Sequence, residues 1–154
     1  MKLDLRDEAG ERIIASRRSS QRGAISEPVL KREVARDLEA LMNTIAVESS
    51  LDMTGCDNAR NSILNFGLPD IVKRSVDDAA LDIIAGEIRT ALINFEPRLV
   101  AKSISVTRDR TANLENLKAR FRIQADLLCN PANVPVEFIA DVELDIGRIA
   151  ISRG

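Results

Sequence analysis

The hydrophobic pattern of the chain changes its period near Pro97, and this change constrains the fold more than any other feature. Before Pro97, apolar residues recur every three or four positions, which is the spacing of amphipathic helices. After it, apolar and polar residues alternate, as in strands with one buried face. Helices followed by consecutive strands are typical of an α+β fold. We therefore predict three N-terminal helices packed on a small antiparallel sheet with a long C-terminal hairpin.

The apolar spacing places three helices ahead of Pro97. The first is predicted over 27–45, and a short second helix begins at Asn58 and is closed by Gly67. The third begins at Ser75, which with Asp78 resembles a capping box, and it ends near Phe95. A glycine in its middle, Gly86, is expected to allow close approach of another element, because glycine weakens a helix by about 1 kcal/mol relative to alanine.

Two strongly alternating runs, 117–127 and 134–146, are predicted to form an antiparallel hairpin across the turn 130–133. Opposite charges align across its outer face when Arg122 lies opposite Asp141. A register shifted by two residues, with Arg120 opposite Asp141, also alternates the charges, so both registers stay open.

The last strand is expected to continue through a bulge at Gly147 to Ile151. Such a strand would extend about 50–60 Å at about 3.3 Å per residue, well beyond the usual length. A strand of this length is expected to overhang its own sheet and to expose unpaired N–H and C=O groups. Another subunit can satisfy these groups by adding a strand.

A charged pair, Glu96 and Arg98, flanks the proline that ends the third helix. In an extended segment positions 96 and 98 point the same way, so we expect the pair to be displayed at a rigid helix end. A cation is favoured there by the helix dipole, whereas Glu96 needs its favourable interaction elsewhere. The pair is interpreted either as a docking point for a partner's polar groups or as a solvated terminus.

The composition argues against several classes of function. The chain of 154 residues lacks His, Trp and Tyr and has four Phe, so it lacks the usual general base and most of the aromatic surfaces that stack on bases or sugars. The formal charge of −2 gives no electrostatic footprint for nucleic acid. Cys56 and Cys129 lie far apart without a metal-ligand spacing, so we expect no metal and no cofactor.

No apolar run in the sequence has the length of a membrane helix, and residues 1–10 lack the apolar run of a signal peptide. We therefore expect a cytoplasmic protein without direct membrane insertion. Residues 1–25, rich in Arg, Ser and Glu, are predicted to form a flexible arm. Residues 26–154 are predicted to form a single domain.

Three segments in order resemble a known family. They are the first-helix segment 34–44 (VARDLEALMNT), the turn 62–70 (SILNFGLPD), and 95–99 (FEPRL) followed by the alternating hairpin. Together they resemble the baseplate wedge and sheath-initiator family of contractile injection machines, which includes the TssE subunits of type VI secretion. The resemblance covers roughly residues 26–151.

The resemblance implies a structural, non-enzymatic protein that joins the wedge proteins TssF and TssG, and through them TssK. It also implies a template for the sheath proteins TssB and TssC, in a baseplate that partners dock to the inner-membrane complex. The family's Glu-Pro-Arg motif corresponds to Glu96, Pro97 and Arg98, which are expected to hold the wedge. The hairpin is expected to exchange strands with the sheath through Val142, Leu144, Ile146, Ile149 and Ile151.

Two other functions are alternatives to this expectation. One is a generic adaptor domain outside any secretion machine. The other is a lysozyme-like peptidoglycan hydrolase, because relatives have carried that label. Glycoside hydrolysis needs two carboxylates flanking a cleft, and Glu96 is the one acid we would nominate. It stands beside Arg98, and sugar-stacking aromatic residues are scarce, so the hydrolase is disfavoured.

Overall fold

The helices of the computed structural model, which describes residues 25–72, 74–110 and 117–154, form where the apolar spacing predicts them. Helix α1 spans Glu27–Met42, α2 spans Asp57–Arg60 and α3 spans Asp78–Phe95. The predicted arm lies outside the described residues except for Ile25. The three helices and the sheet described below confirm the predicted α+β class.

Helix α1 ends three residues earlier than predicted, because the chain after it pairs with the turn that contains Gly67. The Leu68 N–H donates to the Thr44 carbonyl at 2.8 Å, and the Ala46 N–H donates to the Leu68 carbonyl at 2.8 Å. These two bonds engage the Thr44 carbonyl and the Ala46 N–H, which a longer helix would need for its own hydrogen bonds. Gly67 has a φ of +129°, and a Cβ there would clash with the Thr44 carbonyl.

The predicted second helix is split into α2 and a separate 3₁₀ turn, Ile63–Asn65. The Ser62 hydroxyl caps this turn by accepting a hydrogen bond from the Leu64 N–H at 3.2 Å. Asn65 is buried, and its carboxamide accepts from the Glu48 N–H at 3.0 Å and donates to the Arg60 carbonyl at 3.1 Å. Asn65 thus holds two loops together.

The N-cap of α3 is Asp77, not Ser75 as predicted. The Asp77 carboxylate accepts a hydrogen bond from the Ala80 N–H at 2.7 Å, while the Ser75 hydroxyl donates to the same carboxylate at 2.6 Å. These hydrogen bonds, the one from Ser75 first, lower the pKa of Asp77. The expected close approach at Gly86 is also wrong, since a Cβ placed there meets nothing within 4 Å.

The strands form one antiparallel sheet in the order β1-β2-β3-β4. They span Ser105–Asp109, Lys118–Leu127, Val134–Glu143 and Arg148–Arg153. Strands β2 and β3 pair over ten residues each, which confirms the long hairpin. The inner face of the sheet packs with α1 and α3 in a core whose largest fully buried side chains include Leu38, Leu81, Ile84, Ile88, Leu92, Phe121, Ile123, Phe138, Val142 and Ile149.

The register of the hairpin is the second of the two considered, with Arg120 opposite Asp141 and Lys118 opposite Glu143. The Arg120 Nε lies 2.7 Å from the Asp141 carboxylate. The other register would have placed Asp126 opposite Glu137, and like charges directly opposite each other destabilise a sheet. In the observed register Asp126 faces a proline instead.

The prediction of one long final strand is wrong. Strand β3 ends at Glu143, and the chain reverses through the turn 144–147, so that β4 pairs back on β3. The Gly147 N–H donates to the Glu143 carbonyl at 2.8 Å, and Gly147 has a φ of +70°, which favours glycine. The change of apolar phase after Ile146 therefore marks a turn and not a bulge.

We expect Gly67→Ala to destabilise the protein by at least about 2 kcal/mol, because alanine would meet both an unfavourable φ and the Thr44 carbonyl. The matched control is Gly86→Ala in α3, which should stabilise it by about 0.5–1 kcal/mol, since that site is open and helical. Urea unfolding followed by circular dichroism measures both. Equal effects of the two substitutions would contradict this account of the turn.

Candidate partner-docking site

The segment Glu96-Pro97-Arg98 forms a corner between α3 and the sheet. The Glu96 N–H donates to the Leu92 carbonyl at 3.0 Å and closes the last turn of α3, as the position of Pro97 predicts. Beyond the proline, the Arg98 carbonyl accepts from the Leu128 N–H at 2.8 Å, next to the end of β2. The corner therefore joins the C-terminus of α3 to the sheet.

Glu96 and Arg98 form a close ion pair. The prediction that Glu96 is displayed to solvent is wrong. Its side chain is only 5% exposed. The Arg98 Nε donates to Oε1 at 2.7 Å, Nη2 donates to Oε2 at 2.6 Å, and the Arg98 backbone N–H donates to Oε1 at 3.1 Å. Both carboxylate oxygens are thus occupied within the chain. Pro97, by contrast, is exposed at the tip of the corner.

A third side chain, Asp37 of α1, completes the cluster. The Arg98 Nη2 donates to its carboxylate at 2.8 Å, while Asp37 keeps 42% of its side chain exposed and Arg98 keeps 34%. One guanidinium thus connects the start of the sheet region to both α1 and the end of α3. We call Asp37, Glu96, Pro97 and Arg98 the charged corner.

The electrostatics of the charged corner favour the charged form of Arg98. The hydrogen bonds that Arg98 donates to Glu96 are the main cause that raises the pKa of Arg98, and the hydrogen bond to Asp37 adds to it against the opposing effect of burial. Breaking such a pair leaves a desolvated charge without its partner, which is costly in a protein interior. The corner is therefore a structural clamp as well as a candidate contact surface.

Sequence reasoning missed Asp37, although a signal for it exists. Asp37 follows Val34 by three residues and precedes Leu41 by four, which is the spacing of the buried stripe of α1. A carboxylate at a position that should carry an apolar residue indicates a buried or half-buried cation nearby. The missing information was that Arg98, sixty-one residues away, would supply that cation.

The other predicted contact residues lie on the β3–β4 hairpin and differ in exposure. Val142 and Ile149 are fully buried, and Leu144 is nearly so. Ile151 is half-buried, while Ile146, in the turn, is 60% exposed. Of these five side chains, Ile146 is therefore the most accessible to a partner, with Ile151 next. The roles assigned to all of them in partner binding stay predictions.

The charged corner and the turn 144–147 lie at opposite ends of the sheet. The corner bonds to the chain beside Leu127, whereas the Leu144 N–H donates to the Leu117 carbonyl at the start of β2. The ten residues of β2 separate the two ends by about 30 Å at about 3.3 Å per residue. The fold thus does not gather the predicted residues into a single site.

The backbone N–H and C=O groups of β4 point alternately toward β3 and away from it. The Gly154 N–H donates to the Glu137 carbonyl on β3 at 3.2 Å, whereas the N–H of Ile149 points to the other side. Because bonding alternates along an antiparallel strand, the N–H and C=O groups of Ile151 and Arg153 point away from β3 as those of Ile149 do. This outer edge of β4 is the part of the hairpin where another strand could pair.

Across residues 25–72, 74–110 and 117–154 no three His, Cys, Asp or Glu side chains are grouped to hold a metal ion. The Glu96 carboxylate, the nominated acid of a hydrolase, accepts three hydrogen bonds from Arg98. Within the same ranges, no helix combines the length and the hydropathy needed to cross a membrane.

The site and fold define a small α+β protein whose main charged cluster stabilises its own architecture. Residues 29–132, about two thirds of the chain, match the family model described as baseplate wedge protein gp25. The chain belongs to this family, which is also the family of the TssE subunits. No curated protein and no solved structure gives a significant match to the chain.

Membership assigns this chain a structural role in the baseplate of a phage tail or of a type VI secretion system. The family is structural rather than catalytic, and its members assemble with other baseplate components. The match therefore favours the baseplate interpretation over the generic adaptor and over the hydrolase.

We expect Arg98→Ala to lower the free energy of unfolding by about 2–3 kcal/mol, because it leaves the buried Glu96 carboxylate without its partner. Arg98→Lys should cost less, since it keeps the charge but loses the two-pronged contact. Urea unfolding of the two variants beside the wild type measures the difference. An unchanged stability in Arg98→Ala would show that the charged corner does not clamp the fold.

Proposed function

We propose that this chain links the wedge of a type VI secretion baseplate to the contractile sheath and initiates sheath polymerisation. In this proposal the charged corner holds the wedge proteins TssF and TssG, and through them TssK. The outer edge of β4 pairs with a strand of the sheath proteins TssB and TssC. The protein works in the cytoplasm, in a baseplate that its partners dock to the inner-membrane complex.

The observation that carries this proposal is the separation of two different surfaces on one sheet. The charged corner adjoins the end of β2, and the outward-facing backbone groups belong to β4, two strands away. A connector needs two surfaces that two partners can occupy at the same time. The corner presents an exposed proline beside charged groups, whereas the edge of β4 presents hydrogen-bond donors and acceptors of the backbone.

The wedge contact is tested at Pro97, because this exposed residue can be changed without breaking the Glu96–Arg98 pair. We expect Pro97→Arg to reduce the amount of TssF and TssG that co-purifies with this chain at least tenfold, since a bulky cation would stand at the contact. The control is Pro135→Arg on β3, another exposed proline, which should retain both partners. Equal retention by the two variants would contradict docking through the charged corner.

The sheath contact is tested at Arg153, whose N–H faces away from β3. Arg153→Pro removes this donor, and proline is tolerated where an edge N–H faces outward, so the fold should persist. We expect this variant to bind the wedge and to initiate few or no sheaths. Arg153→Ala removes the side chain and keeps the N–H, so it should initiate sheaths normally. Normal sheath numbers in Arg153→Pro would contradict strand pairing at this edge.

A further inference from the structure

Asn43, the residue after α1, is hydrogen-bonded to the outer edge of β4. Its Oδ1 accepts from the Ile149 N–H at 2.9 Å, and its Nδ2 donates to the Ile149 carbonyl at 2.7 Å. The same Nδ2 donates to the Glu39 carbonyl at 2.8 Å. One carboxamide thus satisfies both backbone groups with which Ile149 faces away from β3.

The orientation of this carboxamide is determined by its partners. Nδ2 faces two carbonyl oxygens, those of Glu39 and Ile149, and Oδ1 faces an N–H. Rotating the group by 180° would set an oxygen against two carbonyls and a nitrogen against a donor, which would lose all three hydrogen bonds. Asn43 is therefore held in the one orientation that serves the edge of β4.

The Asn43 carboxamide makes the bonds that the backbone of a neighbouring strand would make. In an antiparallel ladder, two residues directly opposite each other exchange N–H and C=O in this way. The outer edge of β4 is thus already bonded to a side-chain amide at Ile149. The ligand that matches the rest of this edge is a peptide backbone. The next outward-facing positions along the strand are Ile151 and Arg153.

We infer that Asn43 fixes the place and the register at which a partner strand pairs with β4. It occupies the position opposite Ile149, so an added strand can pair at Ile151 and Arg153 and must leave the edge before Asn43. This inference rests on the proposed strand pairing with the sheath, and it names the residue that determines the register.

A register determinant is needed here because the backbone alone does not supply one. A slip of two residues keeps every side chain of a strand on the same face, so the alternation of apolar residues does not oppose it. Without Asn43, positions 149, 151 and 153 would offer equivalent outward-facing groups. Steric occupation of one position by Asn43 removes the slipped pairing.

The first measurement is amide hydrogen exchange of the full chain alone. We expect Asn43→Ala to accelerate exchange of the Ile149 amide at least tenfold, while the amide of Ser152, which faces β3, stays protected. The control is Thr44→Ala, which removes another side-chain bond at the end of α1, from Thr44 Oγ1 to the Ala40 carbonyl at 2.8 Å, without touching β4. Unchanged exchange at Ile149 in Asn43→Ala would overturn the inference.

A second variant keeps the test decisive if Asn43→Ala fails to fold. Asn43→Leu has a similar size and can neither accept from the Ile149 N–H nor donate to the Ile149 carbonyl. We expect it to free both groups for a partner strand and to accelerate exchange of the Ile149 amide as Asn43→Ala does. The exchange pattern and the strand pairing of both variants are compared with those of Thr44→Ala.

The second measurement repeats the exchange with purified TssB and TssC added to the full chain. In the wild type we expect new protection at the Ile151 and Arg153 amides, and in the Asn43 variants additional new protection at Ile149. New protection at Ile151 and Arg153 alone in all variants would overturn the role of Asn43 and leave the proposed sheath contact intact. No new protection anywhere on β4 would overturn both.

Discussion

One guanidinium group joins two helices of this protein at the point where the chain enters its sheet. Arg98 stands where the chain passes from α3 into the sheet region, and it holds Glu96 at the helix end and Asp37 on α1. The three residues meet only when α1, α3 and the corner are all in place. Because Glu96 is buried, the charge that Arg98 neutralises has little access to water as an alternative partner. The segment Glu96-Pro97-Arg98 is therefore part of the architecture of the protein.

Side chains that imitate backbone recur in this fold. Asn65 bonds to the backbone of two separate segments, and Asn43 does the same between α1 and β4. Asparagine suits this purpose because its carboxamide carries the same donor and acceptor as a peptide group. Asn43 bonds to a strand residue 106 positions away, and Asn65 bonds to loop residues 17 and 5 positions away. Irregular connections are thereby fixed without lengthening the helices or the sheet.

The period of the sequence predicted the helices, the alternation of β2 and β3 and the α+β class, because each of these depends on neighbours close in the chain. It does not predict the last reversal, because the phase change after Ile146 fits a bulge as well as a turn. In the structure Gly147 adopts a positive φ in a turn. Periodicity records which residues are buried and not the direction in which the chain runs. Residues 111–116, between β1 and β2, lie outside the described residues.

The charged corner was predicted in part. The positions of Glu96 and Arg98 beside Pro97 follow from the sequence, but the burial of Glu96 and the participation of Asp37 do not. Both depend on how α1 is placed against the end of α3, which is a tertiary contact between distant residues. The sequence leaves two registers of the hairpin open, although like charges at Asp126 and Glu137 disfavour the one that sets these two residues opposite each other.

The family match ends at Ala132, in the connection between β2 and β3. The end of the matched region therefore does not coincide with the end of the folded sheet. Strands β3 and β4 lie beyond that limit, yet they supply Phe138, Val142 and Ile149 to the core. A chain shortened at Ala132 would leave the ten residues of β2 as an unpaired edge above an open hydrophobic face. The matched region therefore ends where similarity to the family is no longer detected. The segment that must be expressed to obtain a folded protein extends past that point.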